Sequence, residues 1–200
     1  MGKALDYNTF TEMNILIDCG ANIGQGFERL KGLLNIDSTW QIIMFEPNPE
    51  CIPFLRAKYK HEIINKAVST DNESRRFNIQ FCEKAKNWTG GASHFIDNSE
   101  YKKPRYIKTG HFKDGGMIEC IDLSTFIATH CSVNDEVYLK LDIEGMEFPV
   151  LDKMIKDGTI LLIDSIFVEW HQRLLKKRVS RFGYLDYFNE HNINYSEWVY

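Results

Sequence analysis

The sequence has no apolar run long enough to cross a bilayer. Its longest such stretch, Ile160 to Val168, is broken by Asp164 and Ser165 and falls far short of the ~20 residues a spanning helix needs. No membrane span is expected. A leader is missing as well: Lys3, Asp6, Asn8, Thr9 and Glu12 keep the first dozen residues polar, which points to a cytoplasmic protein. There is no block of like charge. Lys plus Arg total 24 against 28 for Asp plus Glu, a net charge of -4, and this balance disfavours a nucleic-acid partner held through its phosphates. Cys-x-x-Cys spacing is also absent. Five scattered cysteines (Cys19, Cys51, Cys82, Cys120, Cys131) suit neither a disulfide framework nor structural zinc and read as small hydrophobes. With no internal repeat or low-complexity linker, the 200 residues, 44% of them apolar, read as one domain, 1–200.

What is present is a β-α rhythm. Asn14 to Asp18 is an apolar run ending in an acid and a turn, followed by Phe27, Leu30, Leu33 and Leu34 at helical spacing. Gln41 to Phe45 then runs into Glu46-Pro-Asn-Pro, and Ile52, Leu55 and Tyr59 continue as a second helix. A short run covers Glu62 to Val68. The pattern resumes with a helix at Asp122 to His130, a buried strand at Glu136 to Leu141, a helix at Met146 to Lys156 stopped by Gly158, a strand at Ser165 to Trp170, a helix at Tyr184 to Asn189 and a strand at Asn194 to Tyr200. Units of this kind in series predict an α/β fold with a doubly wound, mostly parallel sheet. Between Thr70 and Gly116 the rhythm breaks. That region reads as an inserted excursion of short strands and loops, with strands expected at Arg75 to Phe81 and Met117 to Ile121, lying over one end of the sheet.

Asp18-Cys-Gly-Ala-Asn-Ile-Gly24 occupies the first strand-to-helix turn, where glycines let backbone N–H groups approach a ligand. The glycines do not follow the Gly-x-Gly-x-x-Gly order of dinucleotide enzymes, and an acid precedes them. A carboxylate there suits a ligand carrying a cationic amine better than a pyrophosphate, so an adenosyl-type ligand is expected. Glu46 lies 22 residues beyond Gly24, close to the ~20 expected of an acid that accepts hydrogen bonds from ribose hydroxyls.

These segments, together with Phe45-Glu-Pro-Asn48, Asn65-Lys-Ala-Val-Ser69, Gly90-Gly-Ala-Ser93 and above all Leu139-Lys-Leu-Asp-Ile-Glu-Gly-Met-Glu147 followed by Val150-Leu151, resemble the ordered motifs of FkbM-type methyltransferases. The resemblance runs from about residue 14 to 171. It implies a Rossmann-like class I methyltransferase fold, S-adenosyl-L-methionine (AdoMet) as methyl donor, and O-methylation of a sugar, glycan or related small molecule. By the same resemblance, Asp18, Gly20 and Asn22 would lie along the methionine end of the cofactor, with Cys19, Ala21 and Gly24 also in the cofactor site. Glu46 would meet the ribose, Ala67 and Val68 would lie beside the adenine, and Pro47 and Asn48 would belong to the same cofactor site. One departure is expected: class I methyltransferases close with an antiparallel strand pair, whereas here the final strand is followed by nothing, so either that last strand lies outside the chain or the edge is built differently.

The strand ends carry a second set of polar residues. Asp142 and Glu144 follow one strand, and Glu169 and His171 follow the next, which places all four at the carboxyl edge where open α/β sheets bind ligands. Methyl transfer to a hydroxyl needs an acceptor oxygen held in line and help in removing its proton. His171, Asp142 or Glu169 could be that base, and the same groups could instead hold a Mg²⁺-like divalent ion; the spacing does not separate the two. Trp88, Gly91, Ser93 and His94 in the excursion suit the faces and hydroxyl edges of a sugar. The basic stretch Arg173, Lys176, Lys177, Arg178 and Arg181 reads as a solvated helix face, with a nucleotide or phosphate on a glycan donor as the alternative partner. The rival readings are a non-catalytic AdoMet-fold binding module and a methyltransferase acting on nucleic acid or protein.

Overall fold

The structure is a computed structural model that describes residues 12–80, 93–95, 112–172, 175 and 179–199. In chain order its elements are β1 (Asn14–Cys19), α1 (Gln25–Leu33), β2 (Gln41–Phe45), α2 (Ile52–Lys58), β3 (Glu62–Ile64), β4 (Ala67–Ser69), β5 (Arg75–Gln80), β6 (Ser93–Phe95), β7 (Phe112–Ile118), β8 (Cys120–Asp122), α3 (Leu123–His130), β9 (Glu136–Leu141), α4 (Glu147–Asp157), a 3-10 turn at Thr159–Leu162, β10 (Ser165–Val168), α5 (Phe182–Glu190) and β11 (Asn194–Glu197). Six strands form the main sheet in the order β11-β10-β9-β1-β2-β3, with every neighbour parallel. The order reverses at β1, and the crevice beyond its carboxyl end is where such sheets take ligands.

Alternation along the strands explains why the sheet is covered on both faces. Ile15, Ile17, Ile43, Phe45, Val137, Leu139, Ile166 and Val168 point to one side, where Leu123 and Ile127 of α3, Leu151 and Met154 of α4 and Phe188 of α5 complete a core. Leu16, Ile42, Met44 and Phe167 point to the other, against Phe27 and Leu30 of α1, Leu55 of α2 and Trp198. Buried parallel strands therefore read as near-continuous apolar runs. The stripe of α1 is narrower than its sequence suggests, because Leu33 is 62% exposed and the helix ends there.

Two local readings need correction. The expected strand at Met117 to Ile121 is two strands, because Glu119 accepts a hydrogen bond from Ala67 N–H and Cys120 N–H turns to Glu73, passing the chain from one sheet to another. The run at Glu62 to Val68 splits likewise: β3 pairs with β2 and β4 with β8. The sheet edge is built differently from an antiparallel closing pair, one of the two alternatives the sequence left open: β11 runs parallel to β10, with Ser165 opposite Asn194.

The excursion contains a three-stranded antiparallel sheet, β6-β5-β7. Lys113 of β7 contacts Glu50 in the loop after β2, so this sheet reaches the carboxyl edge of the main one. Ser93 and His94 take positions in β6 opposite Ile79 and Asn78. Trp88, Gly90, Gly91, Cys82, Arg173, Lys176, Lys177 and Arg178 lie outside the described residues. Cys19, Cys51 and Cys120 are buried. Among the described residues no helix is long and apolar enough to cross a membrane.

Candidate active site

The turn after β1 is tied to the end of β2. Gly20 and Ala21 both donate to the Phe45 carbonyl, at 2.9 and 3.0 Å, and Asn22 N–H donates to Glu46 Oε2 at 2.7 Å. Glu46 Oε1 accepts from Asn48 N–H at 2.7 Å. Asn65, quoted in the sequence motif but given no role there, closes this corner by donating to the carbonyls of Glu46 and Pro47. Gly20 has φ +82°, and a Cβ on it would collide with the Asp142 carbonyl oxygen, so only glycine permits the turn to lie against the loop after β9. Gly24, at φ +94°, is similarly closed off by the Tyr59 ring.

Glu46 is 4% exposed. Burial pushes its carboxyl up to about 7 against the opposing pull of the two backbone N–H groups. Each of its oxygens accepts one strong hydrogen bond and keeps a lone pair for another donor. Cys19 and Ala21 are core residues, 0% and 1% exposed, and their side chains pack in the two cores. Burial holds the Cys19 thiol well above its usual range. Ala67 and Val68 are 3% exposed and pack in the larger core.

Lys140 joins this turn to the acid cluster. Its side chain is fully buried on β9, in register beside Asp18. Its Nζ lies 3.0 Å from Asp18 Oδ1, 3.0 Å from the Gly20 carbonyl and 3.5 Å from Asp142 Oδ2. The Asp18 contact is an ion pair without hydrogen-bond geometry, and both Asp18 oxygens lack a hydrogen-bond donor among the described residues. Asp142 N–H in turn donates to the Cys19 carbonyl at 3.1 Å.

The four polar residues expected at the next strand ends do converge. His171 Nε2 lies 3.6 Å from Glu144 Oε2 and 3.6 Å from Glu169 Oε1. Ligand atoms of Asp142, Glu144 and His171 all fall within 4.8 Å of one another. Glu147, which the motif contains but sequence reasoning left without a role, organises them from below. It is 0% exposed, accepts from His171 Nδ1 at 2.9 Å, and accepts from the N–H groups of Ile143 and Gly145.

The electrostatics follow from that packing. Burial raises Glu144 to about 7, with His171 pulling it back down and Asp142, Glu147 and Glu169 adding to the rise. Burial, then Asp142, also raises Glu169. Burial alone would lower His171, but the Glu147 hydrogen bond and the Glu147, Glu144 and Asp142 charges outweigh it and hold the ring at about 9. As an isolated base at neutral pH, such an imidazole already carries its proton.

An adenosyl ligand with a cationic amine and ribose hydroxyls is a set of hydrogen-bond donors. The donor-poor Asp18 carboxylate and the spare lone pairs of Glu46 are matching acceptors, so the residues present fit it. No curated protein and no solved structure matches the chain. A family model described as the methyltransferase FkbM domain matches residues 18–194, from the end of β1 to the start of β11, and the chain belongs to that family.

Proposed function

We propose that the protein transfers a methyl group from AdoMet to a hydroxyl of a sugar, glycan or related small molecule. The observation that carries this reading is the direct contact between its two halves: the glycine turn and the acid–histidine cluster meet at β1 and β9 through Lys140 and through Asp142 N–H to the Cys19 carbonyl. A donor held at the turn and an acceptor held at the cluster would be neighbours. AdoMet supplies an electrophilic methyl on a sulfonium. Asp18, Gly20 and Asn22 would hold its methionine end, Glu46 with Pro47 and Asn48 its ribose, and the Ala67–Val68 strand would back the adenine.

The remaining work belongs to this chain's own groups. Asp142, Glu144, Glu169 and His171 would orient the acceptor hydroxyl, and a carboxylate of Asp142 or Glu169 would take its proton. The excursion would form the acceptor wall, with Trp88, Gly91, Ser93 and His94 along it; the Lys113–Glu50 contact supports this by bringing β7 to the β2 loop. Two measurements test the reading. Titration calorimetry with S-adenosylhomocysteine should give saturable binding that Glu46→Ala weakens by ~1 to 3 kcal/mol. Incubation with methyl-labelled AdoMet and a panel of saccharides should label a hydroxyl. Binding without turnover on any hydroxyl compound would favour a binding module, and absence of binding would remove the proposal.

A further inference from the structure

We infer that Asp142, Glu144 and His171 form a binding site for one divalent cation of the Mg²⁺/Mn²⁺ class. His171 points the way. Its side chain is 6% exposed, and its Nε2 faces Glu144 and Glu169 at 3.6 Å, outside hydrogen-bond reach of either. Its other nitrogen is committed to Glu147 at 2.9 Å. A cation that displaces the Nε2 proton would leave the remaining proton on Nδ1, held by Glu147, and would sit where the Nε2 lone pair and the carboxylate oxygens meet. Carboxylate–histidine pairs of this kind orient metal-binding imidazoles.

Charge argues the same way. Asp142, Glu144, Glu147 and Glu169 surround this one imidazole, and the nearby cation, Lys140, is shared with Asp18 at 3.0 Å. Among the described residues, even with the imidazole protonated, four carboxylates outnumber the cations of the cluster. Size also fits: the three ligand atoms lie within 4.8 Å of one another, while ligands ~2.1 Å from an ion sit roughly 3 to 4.2 Å apart, so small side-chain shifts close the site. Two carboxylate oxygens and one nitrogen suit a hard or borderline divalent ion and leave positions open for water and an acceptor oxygen.

The role of the ion, lowering the pKa of the acceptor hydroxyl so that Glu169 can take the proton, rests on the methyltransferase reading; the existence of the site does not. The test is a Mn²⁺ titration of the full chain, read by the electron paramagnetic resonance of free Mn²⁺. One saturable Mn²⁺ per chain is expected. Asp142→Asn, Glu144→Gln and His171→Gln should each weaken it at least tenfold, and Glu147→Gln tenfold to a hundredfold through the imidazole it orients. Asp37→Asn, an exposed acid remote from the cluster, should leave it unchanged. Circular dichroism establishes that each variant is folded, and Glu144→Gln, at the more exposed end of the cluster, serves if the buried variants are not. No saturable Mn²⁺, or Mn²⁺ retained in the folded cluster variants, overturns the site. S-adenosylhomocysteine titrated in chelator on the same samples separates the two claims. Binding of that product with no Mn²⁺ site overturns the cation proposal alone. Mn²⁺ bound without it supports the site and removes the methyltransferase reading.

Discussion

Lys140 and Asp18 lie side by side on adjacent parallel strands, both with fully buried side chains, their charges 3.0 Å apart. A lone buried charge is far costlier than a buried pair, and removing one partner of such a pair costs ~3 to 5 kcal/mol. Lys140→Met should therefore lose stability on that scale in urea denaturation. The double variant Asp18→Asn/Lys140→Met should recover part of it. A single variant within ~1 kcal/mol of the wild type would mean that the pair does not hold the turn.

Gly20→Ala tests whether the two halves of the site are one packed unit. The added Cβ would strike the Asp142 carbonyl oxygen, and the backbone sits at φ +82°. Backbone must move, so the loss should exceed the ~1 kcal/mol typical of glycine replacement at an open site. Because the displaced carbonyl belongs to Asp142, folded protein recovered at low temperature should also show depressed turnover. Thermal denaturation within a degree or two of the wild type would show that the turn yields freely.

How far the site was legible in the sequence depended on whether its cues were local. Asp18, Gly20, Asn22 and Glu46 could be placed because a strand, a turn and a helix follow one another within a few residues. Asp142, Glu144, Glu169 and His171 could be placed because each follows a strand directly. Lys140 lies within a buried strand and received no role from the sequence; its meaning needs the register with Asp18, which is 122 residues away. Glu147 opens a helix, where acids are common for reasons of helix polarity, and its contact with His171 spans 24 residues. The edge strand β11 could be found by its composition, but not its parallel pairing. The split between β7 and β8 arises from the Glu119 and Cys120 hydrogen bonds to other segments, which no local pattern encodes.

Glu46 should give stability a recognisable pH dependence. Its folded-state pKa is raised by burial from 4.5 to about 7, so folding favours the protonated form. The stabilisation is fully present below about pH 4.5 and is lost as pH rises through about 7, a span worth about 3 kcal/mol. In Glu46→Gln that component disappears. The amide must set an NH₂ against the N–H of Asn22 or Asn48, so its absolute stability should drop; the comparison is therefore between slopes. Urea midpoints from pH 4.5 to 7.5 should fall more steeply for the wild type than for Glu46→Gln. Parallel curves would place the titration elsewhere.

Glu147 is fully buried against His171, and whether it acts through that imidazole can be measured. It accepts from His171 Nδ1 and from the N–H groups of Ile143 and Gly145, so it fixes both the ring and the loop that carries Glu144. Glu147→Gln keeps the size and one acceptor oxygen but loses the charge. Turnover should fall ~10- to 100-fold, the range typical of groups that orient a functional imidazole, while S-adenosylhomocysteine affinity stays near the wild-type value. Glu147→Ala removes every acceptor and should lose stability as well, since buried N–H groups left without partners cost ~1 to 3 kcal/mol each. If Glu147→Gln loses stability and cofactor affinity together with kcat unchanged, the residue holds the fold alone. A fall in kcat with stability and cofactor binding intact would mark Glu147 as the group that aims His171 into the site.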